Sequence, residues 1–217
     1  MKNLIVTPVH NEEKYLNGFI ASVLNQTMLP DIFILVDDNS SDLSGKIINN
    51  YSNKYPWIKY LYHKSETKRD QGAKVIRAFN YGIKNFDYTN FDIISKIDAD
   101  LELPNDYLDE ILNTFINSEK TGVCGGIINE NENGNWVVKN VASYHIRGAL
   151  KSYRVKCFQD IGGLQPILGW DGLDEMEVMF HGWETKTINK FVKHYRPASK
   201  DYNKISLNYK LGYINYI

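Results

Sequence analysis

Apolar and polar positions alternate between two rhythms along the N-terminal half of the chain. NLIVTPV (3–9) is a short β-branched run, and behind Asn11 and Glu12 the residues Leu16, Phe19, Ile20, Val23 and Leu24 recur at helical spacing. IFILVDD (32–38) is a continuous apolar run of the kind buried on both faces of a sheet. SSDLSGKIINNYSNKY follows with Ser and Asp capping chemistry, and its Leu43, Ile47, Ile48 and Tyr51 share one helical face. IKYLYH, GAKVIRAFNYGIKNF, FDIISKID and NDYLDEILNTFINS continue as strand, helix, strand, helix. That order with short connections predicts an α/β fold, a mostly parallel doubly wound sheet with helices on both faces.

After residue 120 the rhythm changes. GVCGGII, the Asn133-Gly134 hairpin signal and WVVKNVA predict antiparallel strands. CFQDIGG and GLDEMEVMFHGW read as short helices, and TKTINKFVKHY as a last strand. No repeat, low-complexity tract or linker divides the chain, so 1–104 and 105–217 read as two halves of one domain. A length of 217 residues suits one α/β domain with a full core.

Charge is balanced, with 25 Lys and Arg against 26 Asp and Glu, so no overall field recruits nucleic acid, and any anion must be caught locally. Cys124 and Cys157 are too few for a disulfide framework and lack metal-ligand spacing, which points to a reduced cytosolic compartment. MKNLIVTPVHNEEKY is neither a secretory signal nor a membrane span, and no run of about 18 apolar residues occurs. The Tyr-rich end YKLGYINYI stops without a turn or polar tail, so the natural chain is expected to continue past Ile217.

The chemistry concentrates where ISKIDADLELP drives an apolar run into two aspartates. In a strand Asp98 and Asp100 point to one face and repel unless something positive lies between them. A divalent cation, Mg²⁺ or Mn²⁺, meets that need and leaves coordination sites for phosphate. The alternative is that the two aspartates merely end a strand and cap the helix after Pro104. Both acidic clusters, VDDNSSD and IDAD, fall at strand carboxyl ends, the rim where such sheets bind ligands. No G-x-G-x-x-G or P-loop pattern is present, which argues against dinucleotide oxidoreductases and P-loop enzymes.

The ordered series TPVHNEEKYL, LVDDNSSD, KIDADLELPNDYL, HIRGALKSYR, CFQDIGGL, GWDGLDEMEVMFHGWET and KHYRP resembles the family-2 glycosyltransferases, whose α/β nucleotide-sugar fold is called GT-A. The resemblance implies that Pro8, His10 and Glu12 line the nucleotide base and that Asp38 bonds it. It implies a ribose or metal contact for Asp98 and metal ligation through the donor diphosphate for Asp100. His194 matches a family histidine that contacts metal or diphosphate, with Arg196 beside it and Lys68, Arg69 and Lys74 as candidates to steer the donor. Asp37 and Asp42 read instead as a structural carboxylate and a helix N-terminal charge.

The same resemblance places a general base about one helix before a Gly-Trp pair, here Gly182-Trp183, which points to Asp171. Many members carry Glu-Asp where this chain has Trp170-Asp171, and Asp174 and Glu175 are the rivals. Asp171 also reads as the N-cap of a helix over 172–181. His145 and Arg147, before the small pair Gly148-Ala149, fall near the donor sugar and acceptor pocket, and Trp170 is a stacking platform for a sugar ring or a core indole. The implied reaction is an inverting single displacement from a nucleotide-sugar, UDP-sugar foremost, to a hydroxyl of a saccharide or lipid-linked acceptor. The implied setting is bacterial surface-polysaccharide synthesis in the cytoplasm, with peripheral association at the inner face of the membrane as the alternative. A non-catalytic nucleotide-sugar-binding or scaffold domain is the competing reading. A sugar-nucleotide pyrophosphorylase would open with a glycine-rich loop that this chain lacks.

Overall fold

The structure is a computed structural model that describes residues 1–65, 72–132, 134–138, 142 and 144–196. The predicted alternation is present in β1 (Asn3–Val9), α1 (Leu16–Leu24), β2 (Ile32–Asp37), α2 (Ser44–Lys54), β3 (Ile58–Tyr62), α3 (Ala73–Lys84) and β4 (Ile93–Ile97). A short β5 (Leu101–Glu102) and α4 (Tyr107–Asn117) follow. Beyond them lie β6 (Thr121–Glu132), β7 (Asn135–Val138), β8 (Leu150–Arg154), α5 (Val155–Asp160), α6 (Trp170–Phe180) and β9 (Glu184–His194).

These strands form one sheet in the order β3-β2-β1-β4-β8-β6-β9-β5, with β7 paired to β6. The first four are mutually parallel, and β8 then joins β4 antiparallel. The expected antiparallel character of the later chain holds for β6 with β7 and β8, whereas β9 runs parallel to β6. Gly134, with φ +87°, turns the β6–β7 hairpin, and Asn133 lies outside the described residues.

Period-two alternation explains why the parallel strands are apolar throughout. Ile5, Val9, Phe33 and Leu35 enter one core with α1, α2 and α4, while Leu4, Val6, Ile34 and Val36 enter a second core with α3, α5 and α6. On the second face Gly82 lets α3 lie close to the sheet, since a Cβ there would meet Val6 Cγ1 at 2.6 Å. Burying both faces fixes the register, and the register delivers the carboxyl ends of β1, β2 and β4 to one rim.

Two sequence expectations are corrected. Asp98 and Asp100 do not ride on one strand face, because β4 ends at Ile97 and both lie in the turn before β5. Asp171 is not a helix N-cap: Gly169, in the left-handed region at φ +77°, precedes a helix that already begins at Trp170. Among the described residues no helix is long and apolar enough to cross a membrane.

Candidate functional site

The rim carries an acidic cluster in which each carboxylate is braced by a cation. Asp38, 3 % exposed, sits between His63, whose Nδ1 is 2.7 Å from its Oδ1, and Lys74, whose Nζ is 3.6 Å from its Oδ2. The exposed His10 points its Nδ1 at the Asp38 carbonyl, 2.8 Å away, so the loop after β1 is tied to the end of β2. Pro8, half-buried in β1, pairs in register with Val36. Asp37 accepts from the Ser40 amide and the Tyr60 hydroxyl, and Asp42 accepts from the Ser44 amide at the start of α2, so both serve the loop. Lys68 and Arg69 lie outside the described residues.

Asp98 is held by the Lys96 ammonium, and its backbone N–H donates to the Ala149 carbonyl at 2.9 Å. Burial raises the Asp98 carboxyl above its ordinary range, and nearby Asp100 adds to that against the Lys96 charge. Asp100, 5 % exposed, faces His194 Nε2 at 3.3 Å and Arg196 Nε at 3.1 Å through the same oxygen, Oδ2. Burial works against its charge, yet the His194 and Arg196 contacts outweigh it and hold the carboxyl below its ordinary value. Arg196 also bonds Glu12, whose carboxyl burial pushes up to about 7.

These donors fit a hard cation. Among the described residues Asp98 Oδ2 and Asp100 Oδ1 have no partner, while the opposite oxygen of each is committed to a cationic side chain. Two carboxylates with further positions left to a diphosphate and water are what Mg²⁺ or Mn²⁺ takes at phosphate sites. Glu12 Oε2 and His194 Nδ1 are buried without a hydrogen-bond partner in the same neighbourhood, so the cluster carries unspent polar capacity. Among the described residues no group of three or more acidic, His or Cys side chains forms a protein-only metal cage.

A second acidic cluster is built by β8 and the start of α6. Lys151, 0 % exposed, donates to both oxygens of Asp174 at 2.7 and 2.9 Å and lies 3.0 Å from Glu175 Oε1. Tyr153 bonds Asp174 as well, while Glu175 takes the Ile146 N–H at 2.7 Å and His145 Nδ1 at 2.9 Å. Burial pushes the Asp174 carboxyl up despite Lys151 and Tyr153, whereas for Glu175 His145, Lys151 and the Ile146 amide outweigh burial and hold it down. Arg147 is committed to Glu130 at 2.7 Å.

Asp171 differs from these neighbours. It is half-buried, and among the described residues its carboxylate has no hydrogen-bond or ion-pair partner. Gly148 makes room for it: a Cβ at that position would lie 2.9 Å from Asp171 Cβ and 3.1 Å from Oδ2. Trp170 is 5 % exposed and packs into the second core, so its indole offers no free stacking face and instead lies close against Gly148. Asp174 and Glu175 are likewise placed as internal ion-pair partners, 5 % and 2 % exposed. The structure thus brings Glu12, Asp98, Asp100, His194 and Arg196 together and keeps Asp38 with His10 and His63.

Sequence reasoning passed over His63, Lys96, Lys151 and Tyr153. The signal available was the lysine inside the apolar strand IISKI, since a lysine in a strand buried on both faces must be paired.

The profile of the family described as "Glycosyl transferase family 2" matches residues 4–164, and the chain belongs to that family. A protein of Haemophilus influenzae named "Uncharacterized glycosyltransferase" is 37% identical over 112 residues, 52% of this chain and 41% of that relative. Staphylococcus aureus TarS 1–349 in complex with UDP superposes with a TM-score of 0.71 at 16% identity, covering 94% of this chain and 63% of that one. The mannosyltransferase PcManGT from Pyrobaculum calidifontis, in complex with GDP-Man and Mn2+, gives a TM-score of 0.71 at 13% identity, covering 92% of this chain and 58% of that one. The fold is therefore that of the GT-A glycosyltransferases, and this chain is shorter than each of these three proteins.

Proposed function

We propose that this chain is the catalytic domain of an inverting glycosyltransferase that moves a sugar from a UDP-sugar to a hydroxyl of a glycan or lipid-linked saccharide. The observation that carries the reading is the Asp171 carboxylate in the first turn of α6, which has no partner among the described residues while Asp174 and Glu175 of the same helix are held in ion pairs. The UDP complex of TarS, on the same fold, supports the donor class.

Pro8 near the end of β1, the following loop with His10 and Glu12, and the Asp38 carboxylate would hold the nucleotide, because a carboxylate oxygen keeps acceptor capacity for a uracil N–H beyond its contact with His63. Asp98 and Asp100 would hold Mg²⁺ or Mn²⁺, which supplies charge neutralisation for the departing diphosphate. His194 and Arg196 orient Asp100 for that task. Asp171 takes the proton of the acceptor hydroxyl on its carboxylate as that oxygen forms the new bond to the anomeric carbon. The bond from that carbon to the diphosphate oxygen breaks on the opposite side, so the configuration inverts. His145 and Arg147 flank the acceptor side, and Trp170, Asp174 and Glu175 serve it by holding the pocket wall.

The test is calorimetric titration of UDP, GDP and UDP-sugars into wild type and Asp100→Ala, each with Mn²⁺ and with chelator. Binding of one diphosphate that requires Mn²⁺ and weakens at least tenfold, about 1.4 kcal/mol, in Asp100→Ala is expected. Silence for every nucleotide under both conditions overturns the reading, and tight binding without sugar transfer to any acceptor favours the non-catalytic binding domain.

A further inference from the structure

Two lysines that the proposed chemistry does not use are buried almost completely, Lys96 at 1 % and Lys151 at 0 % exposure. They are direct partners in the β4–β8 ladder and so share one face of the sheet. The Trp170 ring lies over both ammonium groups, with centroid distances of 5.2 and 5.5 Å. Stability alone gives no reason for such an arrangement, because a packed apolar pair of similar volume is commonly as stable as buried charge.

What the lysines grip is more informative. Lys96 Nζ donates to the Gly148 carbonyl at 2.8 Å, and Lys151 Nζ donates to the Asp171 carbonyl at 2.6 Å. Gly148 and Asp171 are the two residues whose close approach sets where the Asp171 side chain lies. The remaining bonds of Lys96 go to Asp98, and those of Lys151 go to Asp174 and Glu175, one helical turn further along α6. Two sets of charge-assisted contacts, set side by side by the Lys96–Lys151 strand pairing and the shared Trp170 ring, therefore tie Asp98 to the Gly148 backbone and the Asp171 backbone to Asp174 and Glu175.

We propose that Lys96 and Lys151 are positioning residues that fix the Asp171 carboxylate relative to the donor. Lys151 sets the first turn of α6, and Lys96 ties the Gly148 segment to Asp98. The proposal rests on the reading of Asp171 as the base. Its physical content is that an attack geometry displaced by about 1 Å costs on the order of a hundredfold in rate, which two rigid, fully paired ammonium groups prevent.

Lys151→Met alone would leave Asp174 and Glu175 buried without their cation, so the test variant is Lys151→Met combined with Asp174→Asn and Glu175→Gln. Folding is followed by thermal unfolding, donor affinity by UDP titration, and catalysis by kcat and acceptor KM per folded molecule. The proposal expects kcat to fall about 10- to 100-fold while the UDP Kd and the acceptor KM stay within about threefold, the split that misorientation produces. A merely structural role would leave kcat per folded molecule unchanged, and that result overturns the proposal. Lys96→Gln, which leaves the interior of α6 intact, is expected to lower kcat at least tenfold, and it decides the matter if the triple variant does not fold. Asp171→Asn is assayed alongside: a slow Asp171→Asn with fast lysine variants refutes positioning alone, and an Asp171→Asn at wild-type kcat overturns the base assignment and this proposal together.

Discussion

At the ends of the parallel strands, Asp38, Asp98 and Asp100 each lean on a cationic side chain yet keep acceptor capacity. Across β4, in the antiparallel part of the sheet, Asp174 and Glu175 are saturated by Lys151, Tyr153, His145 and a backbone amide, while among the described residues the Asp171 carboxylate has no partner. The same side-chain type is thus put to two uses. At the parallel strand ends cations brace carboxylates that keep acceptor capacity in reserve. On the α6 side charges are spent internally, and what they hold is the position of one unspent carboxylate. A cationic partner beside an acid does not by itself say which use applies; the count of remaining acceptor sites does.

The largest effect should come from removing the unspent charge. Asp171→Asn keeps the size of the side chain and, having no partner to lose, should leave stability and UDP affinity within a few tenths of a kcal/mol. Its kcat should drop about 10² to 10⁴, the usual worth of general-base help. Initial-rate assays at saturating donor measure this directly. A drop under about fivefold would move the base to another group and erase the distinction between free and spent carboxylates.

Asp174→Ala attacks the spent group instead. It takes away a buried carboxylate that bonds Lys151 and Tyr153 and leaves the phenol unsatisfied, although Glu175 remains beside the ammonium. Breaking a buried pair costs about 3 to 5 kcal/mol, and Glu175 should keep the loss near the lower figure. Urea titration should therefore register a large stability change. A neutral result would mean that Lys151 and Glu175 suffice and that Asp174 is available for other work.

Gly148→Ala probes the contact between the two regions. The new methyl group would meet Trp170 Cζ2 at 2.8 Å and Asp171 Cβ at 2.9 Å, too close for either to stay in place. Overpacking of this kind costs about 1 to 3 kcal/mol, and the shift of Asp171 should reduce kcat about tenfold with donor affinity retained. Equal loss of donor affinity and kcat would place the strain on the Asp98 side instead, by way of the Lys96 bond to the Gly148 carbonyl.

How far these arrangements could be read from sequence follows from the same division. The parallel half was legible because Ile5, Phe33 and Leu35 and their alternates Leu4, Ile34 and Val36 are all apolar, and a strand buried on both faces advertises itself. β8 was not legible, since LKSYR is polar, and its burial depends on partners far away in the chain. Ser152 bonds Ser95 at 2.8 Å, and Lys151 is paired with acids of α6. Asp100, His194 and Arg196, from separate motifs, meet at the rim. What no local pattern carries is exposure, so Trp170 read equally as platform or core, and the DxD pair was drawn on a strand that in fact ends one residue earlier.

The smallest effect tests whether the donor side really holds charge in reserve. Burial first, and then the proximity of Asp100 and Asp98, raise the Glu12 carboxyl from 4.5 to about 7 against the opposing Arg196. A folded pKa above the unfolded one means that the folded state binds the proton more tightly. The stability it contributes is therefore full below about pH 4.5 and is lost as pH rises through about 7. Wild type without nucleotide should lose stability across that window through this group, while Glu12→Gln, neutral at every pH, should lose less. With about 1.36 kcal/mol for each pKa unit, the difference in slope between pH 5 and pH 8 should amount to about 1 to 3 kcal/mol in urea titrations. Asp100, whose carboxyl is held down, contributes the opposite slope only at more acidic pH and does not mask it. Identical slopes in the two proteins would mean that Arg196 keeps Glu12 ionised throughout. In that case the donor-side acids are as fully spent as Asp174 and Glu175, and the two regions differ only in exposure.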